Sequence, residues 1–210
     1  NFNAGTPAYP YSSIHNIWWE TYDFGNYDNM QPVDDYYFAF PEDAVAAKLK
    51  LVSTGHGWGD LNTGNAAEFY EATHTIWVNG AQTFEQYNWW DCNPNPDGCQ
   101  PQNGTWYFDR AGWCPGSIAQ WFDYDLTSYI GGGDIDLGYV FFPDYVDLCH
   151  PNHPDCVTGV TCADCDAGFN PHLVVACNLV TFSENPLISG IKEAENKFYT
   201  TMSPNPTSGQ

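Results

Sequence analysis

His74-Thr75-Ile76-Trp77-Val78-Asn79-Gly80-Ala81-Gln82-Thr83-Phe84-Glu85-Gln86-Tyr87 reads as two strands folded back on one another. The first arm alternates polar and apolar residues, the period-two signature of a strand with one buried face. Asn79-Gly80 follows it and supplies the positive φ angles that a two-residue hairpin turn requires. The same texture extends outward. Lys48-Leu49-Lys50-Leu51-Val52 alternates, and Tyr36–Phe40, Thr105–Phe108, Ala119–Leu126, Leu137–Phe142 and His172–Phe182 are further strand candidates, with Gly and Pro between them. A short helical turn is expected near Ala66–Ala72, after Gly64-Asn65. Heptads and internal repeats are lacking. Many short strands with tight turns predict an all-β antiparallel sandwich.

Composition bounds the function. The chain has 26 Asp plus Glu against 5 Lys plus Arg, a formal net charge of −21 over 210 residues. Nucleic acids and anionic lipid surfaces are held by clustered cations. Lys48, Lys50, Arg110, Lys192 and Lys197 are too few and too scattered for either. The chain is not a disordered acidic tail, because 43% of residues are hydrophobic, 17% are aromatic and only 15% are charged, against about 25% charged in ordinary domains. The acid excess comes from missing cations. No apolar run approaches the roughly 20 residues of a membrane span, so membrane insertion is not expected. Asn1 opens no signal-peptide pattern, and the chain reads as a mature or trimmed product.

The eight cysteines, Cys92, Cys99, Cys114, Cys149, Cys156, Cys162, Cys165 and Cys177, form an even set. Such a set in an acidic, aromatic-rich chain predicts disulfides and an oxidising compartment. Residues 143–171 hold four of them with His150, His153 and several prolines, and read as a stapled loop excursion from a domain spanning residues 1–185. Cys162-x-x-Cys165 and the nearby histidines have zinc-ligand spacing. In an exported chain disulfides are the preferred reading of the same residues. Asp60, Asn62 and Gly64, and Asp134 and Asp136, resemble calcium-loop beginnings, but neither stretch completes one. No cofactor is expected. Residues 186–210 read as a linker.

Two stretches concentrate chemistry. In Gly55-His56-Gly57-Trp58-Gly59-Asp60, followed by Asn65-Ala66-Ala67-Glu68-Phe69 and His74, glycines admit a close backbone approach and Trp58 offers a face for a sugar ring. Glu68, between small and aromatic residues, is a carboxylate whose proton affinity burial can raise. The alternative is a glycine-rich turn, a core tryptophan and a solvated glutamate. In the second stretch, Asn103-Gly104-Thr105-Trp106 and then Asp109-Arg110-Ala111-Gly112-Trp113-Cys114-Pro115-Gly116, Arg110 is the only arginine of the chain. An Arg110–Asp109 pair fits either a polar ligand site or a clamp between loops.

Taken in order, Gly57-Trp58-Gly59, Ala67-Glu68-Phe69, Thr73-His74-Thr75-Ile76, Cys92 before an Asn-Pro loop, and the Asp109–Gly116 stretch resemble the C-terminal domain of the peptide-N-glycosidase F family. Gly5-Thr6-Pro7-Ala8-Tyr9-Pro10-Tyr11-Ser12 resembles the junction where that domain begins. The resemblance implies a jelly-roll sandwich, related to copper monooxygenase domains, and an amidase that hydrolyses the bond between Asn and the first N-acetylglucosamine of an N-glycan. It gives Glu68 a catalytic role, Trp58, Arg110 and Asp109 substrate-binding roles, and Cys92–Cys114 a disulfide. Copper itself is disfavoured, since there is no His-x-His and Met30 and Met202 lie outside the predicted strands. The sequence departs from the family in three ways. Ala66 and Tyr70 replace a small disulfide around the glutamate, Phe69 replaces a tryptophan, and the principal catalytic Asp belongs to an N-terminal sandwich ahead of this chain. An N-glycan or glycoprotein and that N-terminal sandwich are the implied partners. Ser203-Pro204-Asn205-Pro206-Thr207-Ser208-Gly209 resembles the start of a type IX secretion sorting domain of Bacteroidetes. It implies that machinery as a further partner, and a secreted or outer-membrane surface location. The competing expectation is a non-catalytic glycan-binding or surface structural module.

Overall fold

A computed structural model describes residues 8–57, 67–150, 153–156 and 170–185. Among these, eight strands are found: β1 (Tyr11–Asp23), β2 (Tyr36–Phe38), β3 (Ala44–His56), β4 (Thr73–Val78), β5 (Ala81–Tyr87), β6 (Trp121–Asp125), β7 (Ile135–Val140) and β8 (His172–Ser183). The pairs β1·β8, β2·β7, β3·β6 and β4·β5 are all antiparallel. This is one long hairpin with its tip at Asn79-Gly80. Rolling that hairpin brings β3 onto β8 and β4 onto β7. Two four-stranded sheets result, β1-β8-β3-β6 and β2-β7-β4-β5. That is the eight-stranded jelly roll expected from the sequence. One 3-10 turn, Thr127–Tyr129, joins the strands, and no helix among the described residues is long and apolar enough to cross a membrane.

The hairpin tip forms as its sequence requires. Asn79 and Gly80 both have positive φ, 52° and 74°. Asn79 is also tied to β7, its N–H donating to Asp136 O at 2.9 Å and its Oδ1 accepting from Asp136 N at 2.9 Å. Asp136 is thus part of a strand clasp. Asp60, Asn62 and Gly64 of the other candidate calcium loop lie outside the described residues.

The core lies between the sheets. Ala47, Leu49 and Leu51 of β3 point inward, with Lys48 and Lys50 outward. Ile76 and Val78 of β4, Ile135 and Leu137 of β7, and Leu173, Val175 and Leu179 of β8 complete it. Each of these Leu, Ile and Val side chains contributes about 1.5–3 kcal/mol on burial. Cys177 belongs to the same layer, opposite Trp18 and Leu51, fully buried and unpaired. Burial pushes its thiol pKa up, and it packs as a small hydrophobe. Not every cysteine of the even set is paired, since Cys99 is also a free thiol. Its Sγ donates to Gly116 O at 2.9 Å. Cys149 and Cys156 are disulfide-bonded, which withdraws two candidate zinc thiolates. Cys162 and Cys165 lie outside the described residues.

Three local expectations change. β1 is not evident in the sequence because it is an edge strand with Ile14 and Trp19 facing outward at 65% and 63% exposure while the adjacent Trp18 is buried. A bulge between Asn16 and Trp18 also shifts the alternation. The Thr105–Phe108 segment is a turn, not a strand, with Phe108 N donating to Thr105 O at 3.1 Å. The helical turn expected over Ala66–Ala72 is, in its described part, a simple turn at residues 67–69. The start of the excursion is anchored to the sandwich. Tyr145 stacks on Phe24 at 4.5 Å, over Gly25, where a Cβ would approach the ring to 2.6 Å.

Candidate functional site

The candidate residues gather where three segments cross at the end of β3. Gly55 N donates to Ala111 O at 2.9 Å, Glu68 N to Gly57 O at 3.0 Å, and Ala111 N to Glu68 O at 3.0 Å. Glycine is required at the crossing, since a Cβ on Gly55 would lie 2.1 Å from Ala67 O and 2.7 Å from Ala111 Cβ. A Cβ on Gly112, whose φ is 76°, would meet Ser53 O at 2.1 Å. These contacts press the 67–69 turn and the 109–113 segment onto the sheet and set Glu68 beside Arg110.

Arg110 Nε donates to Glu68 Oε1 at 2.9 Å, with side chains only 3% and 16% exposed. The rest of the guanidinium is committed to the neighbouring turn. Nη1 donates to Phe108 O at 2.7 Å, and Nη2 to Thr105 O and Oγ1, both at 2.8 Å. Its Cζ lies over the rings of Phe69 and Trp113, 4.9 and 5.0 Å from their centroids. Fork-shaped hydrogen bonding beside two aromatic faces is a role that suits arginine and not lysine.

The expected Arg110–Asp109 pair is not what forms. Asp109 Oδ1 accepts from Cys92 N at 2.8 Å, so it holds the 92–99 loop. Trp90 and Arg110 exchange backbone hydrogen bonds at 2.8 and 3.1 Å, and Cys92 and Cys114 are joined by a disulfide. Replacing both cysteines with alanine is expected to cost roughly 3 kcal/mol, the loop-closure entropy for a crosslink of this span, read as a lower denaturant midpoint. An unchanged midpoint would mean that the Trp90–Arg110 bridge closes the loop unaided.

The structure adds a histidine pair. His56 stacks on Trp113 at 5.4 Å and on His172 at 5.6 Å, and Trp113 Nε1 donates to Gly55 O at 2.9 Å. Burial lowers the His56 pKa, His172 lowers it further, and Glu68 opposes them. His56 is therefore neutral at neutral pH, with Thr54 Oγ1 2.8 Å from its Nε2. His56 and Trp113 were visible in the sequence within the two dense stretches. Their partnership with His172 was not, because only the β3·β8 register brings His172 opposite His56. Trp58 lies outside the described residues. The cluster thus offers one carboxylate beside aromatic faces and a neutral imidazole, chemistry suited to a neutral polar ligand. Among the described residues no group of three His, Cys, Asp or Glu side chains is arranged to hold a metal ion.

Known proteins resemble this chain in sequence and fold. A family model described as "Peptide-N-glycosidase F, C terminal" matches residues 25–143, more than half of the chain. Peptide-N(4)-(N-acetyl-beta-D-glucosaminyl)asparagine amidase F of Elizabethkingia miricola is 36% identical over 100 residues, 45% of this chain and 28% of the relative. A crystal structure of peptide-N(4)-(N-acetyl-beta-D-glucosaminyl)asparagine amidase superposes with a TM-score of 0.67 at 24% identity, covering 87% of this chain and 56% of that one. PNGase F from Flavobacterium meningosepticum, described as a glycosylasparaginase, gives 0.67, 24%, 87% and 55%. The chain thus spans little more than half of these solved structures and less than a third of the curated relative. At such identities the superpositions show the shared fold, and the family match covers both the Glu68 turn and the Arg110 segment. The chain belongs to the family of peptide-N-glycosidase F C-terminal domains.

Proposed function

We propose that this chain is the C-terminal part of a secreted amidase that hydrolyses the N-acetylglucosamine–asparagine bond of N-glycoproteins. The observation that carries this reading is the buried Arg110–Glu68 pair between Phe69 and Trp113. Glu68 is the catalytic residue of this half. Arg110 fixes Oε1, and Oε2 takes a water or a sugar hydroxyl at the reacting amide. Arg110 is a positioning residue, since most of its donors are spent on Glu68, Phe108 and Thr105. Asp109 acts one step further out, by holding the loop that carries Cys92. Trp58 walls the first sugars, and an N-terminal sandwich supplies the aspartate that activates water. Export by the type IX machinery, through the tail that begins near Ser203, agrees with the disulfides.

The test is glycan release from a denatured glycoprotein by the full-length precursor. Glu68→Gln is expected to lower the rate about a hundredfold, the scale of a lost general acid–base group, measured at a temperature where circular dichroism shows the variant folded. Unchanged release would remove Glu68 from the mechanism. No release by the unaltered precursor would leave the chain a binding or structural module.

A further inference from the structure

The outer face of the β1-β8-β3-β6 sheet carries chemistry that the Glu68 site does not use. Register puts Trp19 of β1 opposite Ala176 of β8, Ala176 opposite Val52 of β3, and Val52 opposite Trp121 of β6. These four residues form one row across the whole sheet. Its ends are raised and open, with Trp19 63% and Trp121 59% exposed, whereas the adjacent Trp18 is turned into the core at 3%. The small side chains between them make a shallow trough, three inter-strand spacings or about 14 Å from one tryptophan strand to the other. A short run of linked sugar rings spans that length.

The rows on either side favour a polyhydroxylated ligand. On one side Asn16, Asn178, Lys50 and Asp123 lie in register, and on the other Thr21, Val174 and Thr54. The only charges in these rows cancel, since Lys50 Nζ contacts Asp123 Oδ1 at 2.7 Å. The patch is therefore locally neutral in a chain of net charge −21, which repels anionic ligands. Flat indoles for the apolar faces of pyranose rings, bordered by amides and hydroxyls for their edges, are the recognition chemistry of a neutral oligosaccharide. The trough is also continuous with the Glu68 site. His56 and His172 stand on the same face, four residues along β3 and β8 from Val52 and Ala176, or about 13 Å.

We infer that the Trp19–Trp121 row is a second subsite, which holds a neutral arm of the glycan whose reducing end lies at Glu68. The link to Glu68 rests on the amidase reading; binding at the row does not.

The test is binding of a free oligomannose N-glycan to the 210-residue chain by calorimetry and tryptophan fluorescence. Trp19→Ala and Trp121→Ala are each expected to weaken binding about tenfold, or about 1.4 kcal/mol. The double variant should show no detectable binding. Melting temperatures should hold, since both side chains are exposed. Tyr37→Ala, an exposed aromatic on the other sheet, should bind like the parent chain, and a sulfated oligosaccharide should not bind. Four results overturn the proposal: no binding by the parent, retained binding by the double variant, an equal loss with Tyr37→Ala, or a parent dimer that Trp19→Ala converts to monomer. The last would make the face a contact between copies. Failure of glycan release alone would sink the amidase reading and leave this one standing.

Discussion

Arg110→Ala is expected to lower folding stability by about 3–5 kcal/mol, the usual result of removing one partner of a buried ion pair. The loss has three sources. Glu68, only 16% exposed, keeps its carboxylate without a partner. Thr105 and Phe108 carbonyls lose their donors. The space between Phe69 and Trp113 is left unfilled. Against a typical total of about 5–15 kcal/mol, this is a large fraction, and the denaturant midpoint should report it. Arg110→Lys should recover little, since an ammonium cannot serve Glu68, Phe108 and Thr105 from one plane. Adding Glu68→Gln to Arg110→Ala separates the sources. If the stranded carboxylate dominates, the double variant is more stable than Arg110→Ala alone. A midpoint for Arg110→Ala within about 0.5 kcal/mol of the parent, the range of an ordinary surface change, would show the pair to be incidental.

What could be read from the sequence follows from how local each feature is. The β4–β5 hairpin is local: its turn dipeptide and strand alternation sit within one window, and the fold class followed from repeats of that texture. β1 is not local. Its residues are ordered by β8, at the other end of the described sandwich, and its outward Trp19 and Ile14 hide the alternation that marks a strand. The same distinction divides the site. Glu68 and Arg110 were each conspicuous, Arg110 by being the only arginine. Proximity in the chain suggested Asp109 as its partner. Backbone geometry decided otherwise, because Asp109 faces Cys92 N, while the crossing at Gly55 carries Glu68 to Arg110. Thr105 and Phe108 were misread as a strand because a β-branched and an aromatic residue have strand propensity. Their carbonyls instead turn toward the guanidinium.

Acidification between pH 6.5 and pH 4 is expected to destabilise the sandwich through His74. This imidazole is 1% exposed on β4, packed against Phe24, Tyr139 and Phe141. Its Nδ1 accepts from Phe142 N at 3.0 Å, which places the neutral ring's proton on Nε2. Burial alone pushes its pKa down from 6.5 to about 3. In the window between those values the unfolded chain binds a proton that the folded chain refuses, so stability rises with pH there. The contribution is fully present above about pH 6.5 and is lost as pH falls toward 3. Its full size is roughly 4 to 5 kcal/mol. The net charge of −21 works in the opposite direction, since protonating carboxylates relieves self-repulsion. The informative quantity is therefore the difference between the parent and His74→Asn, whose Oδ1 can replace Nδ1 as acceptor for Phe142. His74→Asn should be less stable at pH 7.5, because it leaves a gap among the aromatic rings. Its midpoint should also fall less steeply than the parent's from pH 6.5 to pH 4. Parallel slopes for the two proteins would mean that His74 takes up its proton without unfolding the chain, and acid sensitivity would then have to be assigned to the carboxylates.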